Sequence, residues 1–264
     1  LPTGSFKARG MAMAVTMANE FGIQRLAAPT AGNAGGALAA YAARAGIESW
    51  VFMPDDTPVI NQKECALHGA NAYTVNGLID DCGRLIREGA KEMDWFDVST
   101  LKEPYRIEGK KTMGLELAEQ FDWELPDWIL YPTGGGTGLI GMWKAFGELE
   151  ALGWLNSGKR PKMVSCQSDG CAPIVKAFEA GERYAKRMDN AITIASGLRV
   201  PQAVGDFMIL DAVRQSDGLA MSTSEGDIPK WMHLANSKEG IAVCPETAVC
   251  FGVLDRLMGQ GKIK

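Results

Sequence analysis

Short apolar, β-rich runs alternate with longer helical stretches along the whole chain. The pattern predicts strands at residues 25–28, 49–53, 72–75, 96–99, 128–131, 163–167 and 219–222. Helices are predicted at 6–20, 33–45, 59–68, 78–93, 110–121, 139–152, 173–180, 204–215 and 246–258. Strands alternating with helices of this length argue for parallel sheets covered on both faces. The twist of the strands sets the hand of the crossovers. The expected fold class is α/β.

Helix ends are punctuated by glycine. Gly22, Gly46 and Gly69 follow the first three helices, where a left-handed residue ends a helix. Thr57-Pro58 opens the third helix, with Thr57 expected as the N-cap and Pro58 in the first turn. Residues 182–200 are polar and irregular, a loop or linker. Met11, Met13 and Met17 are expected to pack their helix rather than to carry function.

Composition narrows the function. The chain has 264 residues, 46% apolar and 22% charged, enough for one large domain or two modest ones. A net charge of −5 lacks the basic surface that phosphate backbones require, so no nucleic-acid partner is expected. No run approaches the ~18 apolar residues of a membrane span, and no leader is read; a cytoplasmic location is expected. The six cysteines form no C-x-x-C pair and there are two histidines, His68 and His233. No metal site is therefore expected, and the thiols are read as reduced and mostly buried. The scarcity of histidine also weighs against a Ser-His-Asp hydrolase. The chain opens directly on a motif and stops without a closing element, and reads as a piece of a longer protein.

Three loops carry candidate chemistry. Tyr131-Pro132-Thr133-Gly134-Gly135-Gly136-Thr137-Gly138 follows an apolar strand and opens a helix. Glycines let backbone N–H groups converge on an anion, and the helix N-terminus adds positive potential, so a phosphate would sit there. Gly136, Gly138 and Gly141 also match G-x-G-x-x-G, and Asp169 after the next strand would play the ribose-binding acid of a nicotinamide oxidoreductase. In Pro2-Thr3-Gly4-Ser5-Phe6-Lys7-Ala8-Arg9-Gly10, Lys7 stands at the mouth of a helix beside Phe6. Helix potential and an aromatic neighbour both favour a neutral, nucleophilic amine able to form a Schiff base. Pro29-Thr30-Ala31-Gly32-Asn33 is again strand, glycine turn and helix, with Asn33 either a donor to a ligand or an N-cap. A Schiff-base lysine, an amide donor and a phosphate cradle together suit pyridoxal phosphate.

At these motifs, and at Cys244-Pro245-Glu246-Thr247-Ala248, the chain resembles the threonine synthase family. That family consists of fold-type II, tryptophan synthase β-like, pyridoxal-phosphate enzymes. The resemblance implies two three-layer α/β domains with the cofactor between them. Residues 29–110 would form a small mobile domain, and residues 1–28 plus 111–264 a large one, truncated at both ends. It implies that Lys7 carries the cofactor and shuttles protons, that Asn33 bonds its 3′-oxygen, and that Gly134, Gly135, Gly136, Thr137 and Gly138 wrap its phosphate. Ser99, Thr100 and Arg106 would bind the phosphate of O-phosphohomoserine, which is turned into threonine by γ-elimination and β-addition of water. The other reading of Arg106 is a surface salt bridge. The resemblance also implies a homodimer. Sister enzymes without a phosphorylated substrate, such as serine/threonine dehydratases and diaminopropionate lyases, are the nearest alternative. Ala34 and Gly35 stand where some relatives place a hydroxyl or histidine.

Overall fold

The computed structural model describes residues 2–263; Leu1 and Lys264 lie outside the described residues. The chain forms two compact units, one ending at Met113 and the other beginning at Gly114.

The first unit runs α1 (Lys7–Glu20), β1 (Arg25–Pro29), α2 (Asn33–Ala45), β2 (Glu48–Pro54), α3 (Val59–Leu67), β3 (Asn71–Val75), α4 (Ile79–Met93) and β4 (Phe96–Asp97), and takes in the start of α5 (Tyr105–Gln120). Its four-stranded sheet has the order β3-β2-β1-β4, and every pairing is parallel. Alternation along the strands separates two cores. Leu26, Ala28, Val51 and Met53 face a cluster with Met11 and Val15 of α1, Leu38 and Ala42 of α2, and Cys65 of α3. Ala27, Trp50 and Phe52 face the opposite side, against Ile86 of α4 and Trp95. Residues 1–28 were expected to group with 111–264; α1 instead shares the first unit's core, because its Met11, Val15 and Ala18 face α2 and β1. Met11 is buried, Met17 is half-buried and Met13 is exposed, so the packing role falls mainly to Met11.

The second unit contains β5 (Trp128–Pro132), α6 (Thr137–Ala151), β6 (Lys162–Ser168), α7 (Pro173–Glu179), α8 (Asp206–Gln215), β7 (Leu219–Thr223), α9 (Ile228–Glu239) and α10 (Pro245–Gly259). Its sheet, β5-β6-β7, is also parallel. Val164 and Cys166 of β6 face Trp231 of α9 and Val249 and Val253 of α10. Helices α6, α7 and α8 also pack on β6. Residues 182–200 are irregular apart from a short 3₁₀ turn at Ser196–Leu198.

Several boundaries move for local reasons. α5 begins at Tyr105 rather than 110 because the Glu103 carboxylate accepts the N–H groups of Tyr105 (2.5 Å) and Arg106 (3.1 Å). β4 stops at Asp97 because the Ser99 N–H turns back onto the Asp97 carboxylate at 2.8 Å. The N-cap of α3 is Pro58, not Thr57, and the Thr57 hydroxyl is buried without a partner. α9 was not predicted, although Ile228, Trp231 and Ala235 are buried at helical spacing and Gly240 ends the helix in the left-handed conformation.

Candidate active site

In the first unit Lys7 is the first residue of α1. Its N–H donates to the Ser5 hydroxyl at 3.2 Å, and its Nζ lies 3.7 Å from the centroid of the Phe6 ring. The amine therefore sits at the start of a helix over an aromatic face that holds it in place.

Beside it is a second amine that sequence reasoning missed. Lys110, on α5, is buried, and its Nζ donates to the Phe6 carbonyl and lies 4.1 Å from the same ring centroid. Burial, and then repulsion from Lys7, Arg106 and Arg9, push its amine down to about 6. The only sequence signal was its place one turn after Arg106.

Arg106 is buried, not a surface salt-bridge residue, and its guanidinium donates to the Val98 carbonyl at 2.9 Å. Burial lowers its proton affinity, opposed by the Glu103 and Asp97 carboxylates. The Ser99 hydroxyl donates to the Asp97 carboxylate, and Thr100 follows it at half burial. The turn holding Ser99 and Thr100 closes through Leu101, whose φ of 62° is strained for a branched side chain. Arg106 thus lies under the 97–99 segment, joined to it through Val98.

Asn33 opens α2 and is exposed. It is not the cap: the buried Thr30 hydroxyl accepts the N–H groups of Gly32 and Gly35, both at 3.1 Å. Instead the Asn33 Oδ1 accepts from Asn61 Nδ2 at 2.9 Å, which leaves its own NH₂ as the outward donor.

In the second unit the glycine loop leaves β5 and enters α6. Gly136 takes φ +73°, open to glycine at little cost, and is the N-cap of α6. A Cβ at Gly138 would fall onto the Tyr131 hydroxyl, and one at Gly134 would meet the Gly197 carbonyl at 2.6 Å. Thr137 is the first residue of α6 and is buried. The first N–H groups of a helix have no intrahelical partner, so this loop presents donors where side chains have been removed.

Gln167, also missed from sequence, fixes the loop's approach. Its Nε2 donates to the Thr133 carbonyl at 3.0 Å, and its Oε1 accepts from Ile174 (2.9 Å) and Val175 (3.2 Å) at the start of α7. Glu246, at the second position of α10, accepts the Gly197 N–H at 2.8 Å. Asp169 accepts the Glu225 N–H at 2.8 Å, which occupies the acid that a ribose would need.

Each unit fits one part of an aldehyde- and phosphate-bearing cofactor by itself: in the first, the Lys7 amine at a helix start suits an aldehyde, and in the second, the glycine cradle before α6 suits a phosphate.

The chain is 35% identical over 263 residues to a threonine synthase of Methanocaldococcus jannaschii, covering 99% of this chain and 64% of the relative. It is 36% identical to a threonine synthase of Methanosarcina acetivorans, again over 99% of this chain and 64% of the relative. It thus spans about 64% of the length of these curated relatives. Among solved structures it superposes on a T.th. threonine deaminase with a TM-score of 0.79 at 25% identity, over 98% of this chain and 79% of that one. It superposes on maize serine racemase with a TM-score of 0.78 at 22% identity, over 94% and 71% of the two chains. These neighbours are fold-type II enzymes, and they share the α/β architecture with parallel sheets. Lys7 at its helix, the glycine cradle and a family match over residues 1–264 converge: the chain belongs to the pyridoxal-phosphate dependent enzymes.

Proposed function

We propose that this chain belongs to a threonine synthase that takes O-phospho-L-homoserine and water to L-threonine and phosphate. The observation that supports it most is the similarity to threonine synthases over 99% of the chain, together with Lys7 at the start of α1. Pyridoxal phosphate, when bound, supplies the electron sink that stabilises negative charge on substrate carbons. The chain's residues do the rest. Lys7 would hold the cofactor through its amine and would move protons at the substrate's α- and β-carbons. The N–H groups of Gly134 to Gly138 bind its phosphate, and the Asn33 NH₂ donates to its phenolic oxygen. Arg106, with Ser99 or Thr100, binds the substrate phosphate, since a guanidinium fork matches phosphate oxygens. A cytoplasmic homodimer is part of this reading; among the described residues no helix is long and apolar enough to cross a membrane.

One observation favours a second reading, a sister lyase acting on an amino acid without a phosphate. Arg106 already gives a donor to Val98, and the Ser99 hydroxyl is committed to Asp97. The absorption spectrum with pyridoxal phosphate separates the two, beside Lys7→Ala and followed by O-phosphohomoserine. A Lys7-dependent band with release of phosphate and threonine supports the first reading. A band with no phosphate release moves the assignment to the sister lyases, and no band in the folded protein ends both.

A further inference from the structure

Lys110 is a lysine that the proposed reaction does not use. It is 1% exposed, and a buried ammonium is costly unless paired. It lies where α5 crosses the start of α1: a Cβ on Gly10 would stand 3.0 Å from the Arg106 carbonyl oxygen and 3.2 Å from Lys110 Cε. A side chain at Gly10 would press on this crossing by a few tenths of an ångström. Its Nζ reaches the Phe6 carbonyl, the peptide group immediately before Lys7. The Phe6 ring carries both amines, Lys7 at 3.7 Å and Lys110 at 4.1 Å from its centroid. Two ammonium groups over one ring repel each other.

We propose that Lys110 is a positioning residue and charge partner for Lys7: it fixes the first turn of α1 through the Phe6 carbonyl, and the charge on Lys7 sets how readily Lys110 binds a proton. The inference rests on the reading of Lys7 as the cofactor lysine. The proton balance is simple. With Lys7 an ammonium, Lys110 is a neutral amine, and its N–H still donates to Phe6. Lys7 must lose a proton before its lone pair can attack a carbonyl carbon. That loss removes a repulsion on Lys110, so Lys110 binds a proton from solvent more readily while Lys7 is neutral. The charges bearing on Lys110 are Lys7 and Arg9 from α1 and Arg106 from its own helix, and burial is the larger effect. All three are cations, so removing the charge on Lys7 raises the proton affinity of Lys110.

The test uses the cofactor-free chain with carbon-13 in lysine Cε, followed by NMR between about pH 5 and about pH 11. The Lys110 signal is assigned by its loss in Lys110→Gln. In the wild type its midpoint is expected near the value of about 6 set by burial and its neighbours. In Lys7→Ala, which trims one half-buried side chain, the midpoint rises by about one unit. In Lys7→Arg, which keeps the charge, it stays where it was. Equal midpoints in wild type and Lys7→Ala, or an ordinary lysine midpoint in the wild type, overturn the proposal; a purely structural Lys110 would give the first of these. No cofactor is present, so this result is separate from the spectral test above. A missing Lys7-dependent band would end the functional reading while the Lys110 midpoints stood on their own.

Discussion

In the functional reading proposed above, Lys7 and Lys110 in the first unit work through charge, whereas Gly134, Gly136 and Gly138 in the second work through missing volume. The first group is built from long side chains that a ring and a peptide carbonyl hold in place. The second is built from backbone, with the nearest side chain, Tyr131, standing where a Cβ of Gly138 would be. The difference teaches which perturbation each half should answer to. The amine pair should respond to pH and be tolerant of small changes in volume. The glycine cradle should respond to a single methyl group and be indifferent to pH.

The largest expected effect breaks the comparison on its charge side. Lys110 titrates near 10.5 when unfolded and at about 6 when folded. Between those values the unfolded chain binds the extra proton, so stability rises with pH across this window. The penalty is full below about 6 and gone above about 10.5. From pH 6 to pH 9 it shrinks by about 4 kcal/mol. Lys110→Met carries no such penalty. Its stability relative to wild type should therefore be greatest at pH 6 and fall by about that amount at pH 9, as read from urea titrations. A gap that does not change with pH would make Lys110 an ordinary lysine and remove the contrast between the two units.

Next in size is Gly138→Ala. Its new methyl must displace the Tyr131 hydroxyl or shift the start of α6. Overpacking of this kind costs about 2–3 kcal/mol. If the displacement falls on the cradle, pyridoxal phosphate affinity drops by about 30- to 100-fold, and by the same factor at pH 6 and pH 9. Unchanged affinity would show that Tyr131 and not the cradle gives way to the methyl, and a strong pH dependence would show that volume is not what this loop protects.

The same contrast explains what was legible in the sequence. Residue types that speak locally were readable: Lys7 at a helix mouth, the glycines after β5, the strand-helix alternation. α2 runs over the residues expected, because Gly46 ends it and the glycine turn before Asn33 begins it. Lys110 was not readable, because its character comes from burial and from Phe6, 104 residues away in the chain. Gln167 was hidden for the same reason, its partners being Thr133 and the start of α7. Arg106 was found by motif, but its burial under Val98 is a tertiary fact. The early start of α5 was within reach, since Glu103-Pro104 is a local capping signal. α9 was within reach too, through the spacing of Ile228, Trp231 and Ala235.

The smallest effect sharpens the comparison by adding a group that belongs to neither class. Asn61 is neutral, and it acts on Asn33 by a single hydrogen bond of 2.9 Å. That bond decides which end of the Asn33 amide faces outward: the oxygen is taken by Asn61, so the NH₂ is presented. In Asn61→Ala the amide is free to turn, and half of its orientations offer an oxygen to an oxygen. An exposed hydrogen bond of this kind is worth about 0.5–1 kcal/mol, so cofactor affinity should fall about two- to fivefold. The loss should be the same at pH 6 and pH 9, unlike that of the amine pair. Stability should stay within about 0.5 kcal/mol of wild type, unlike the glycine variant. Asn33→Ala, which removes the donor altogether, sets the upper limit, and the double variant should be no weaker than Asn33→Ala alone. A double variant weaker than Asn33→Ala would mean that Asn61 meets the cofactor directly, and Asn33 would then no longer be the residue through which it acts.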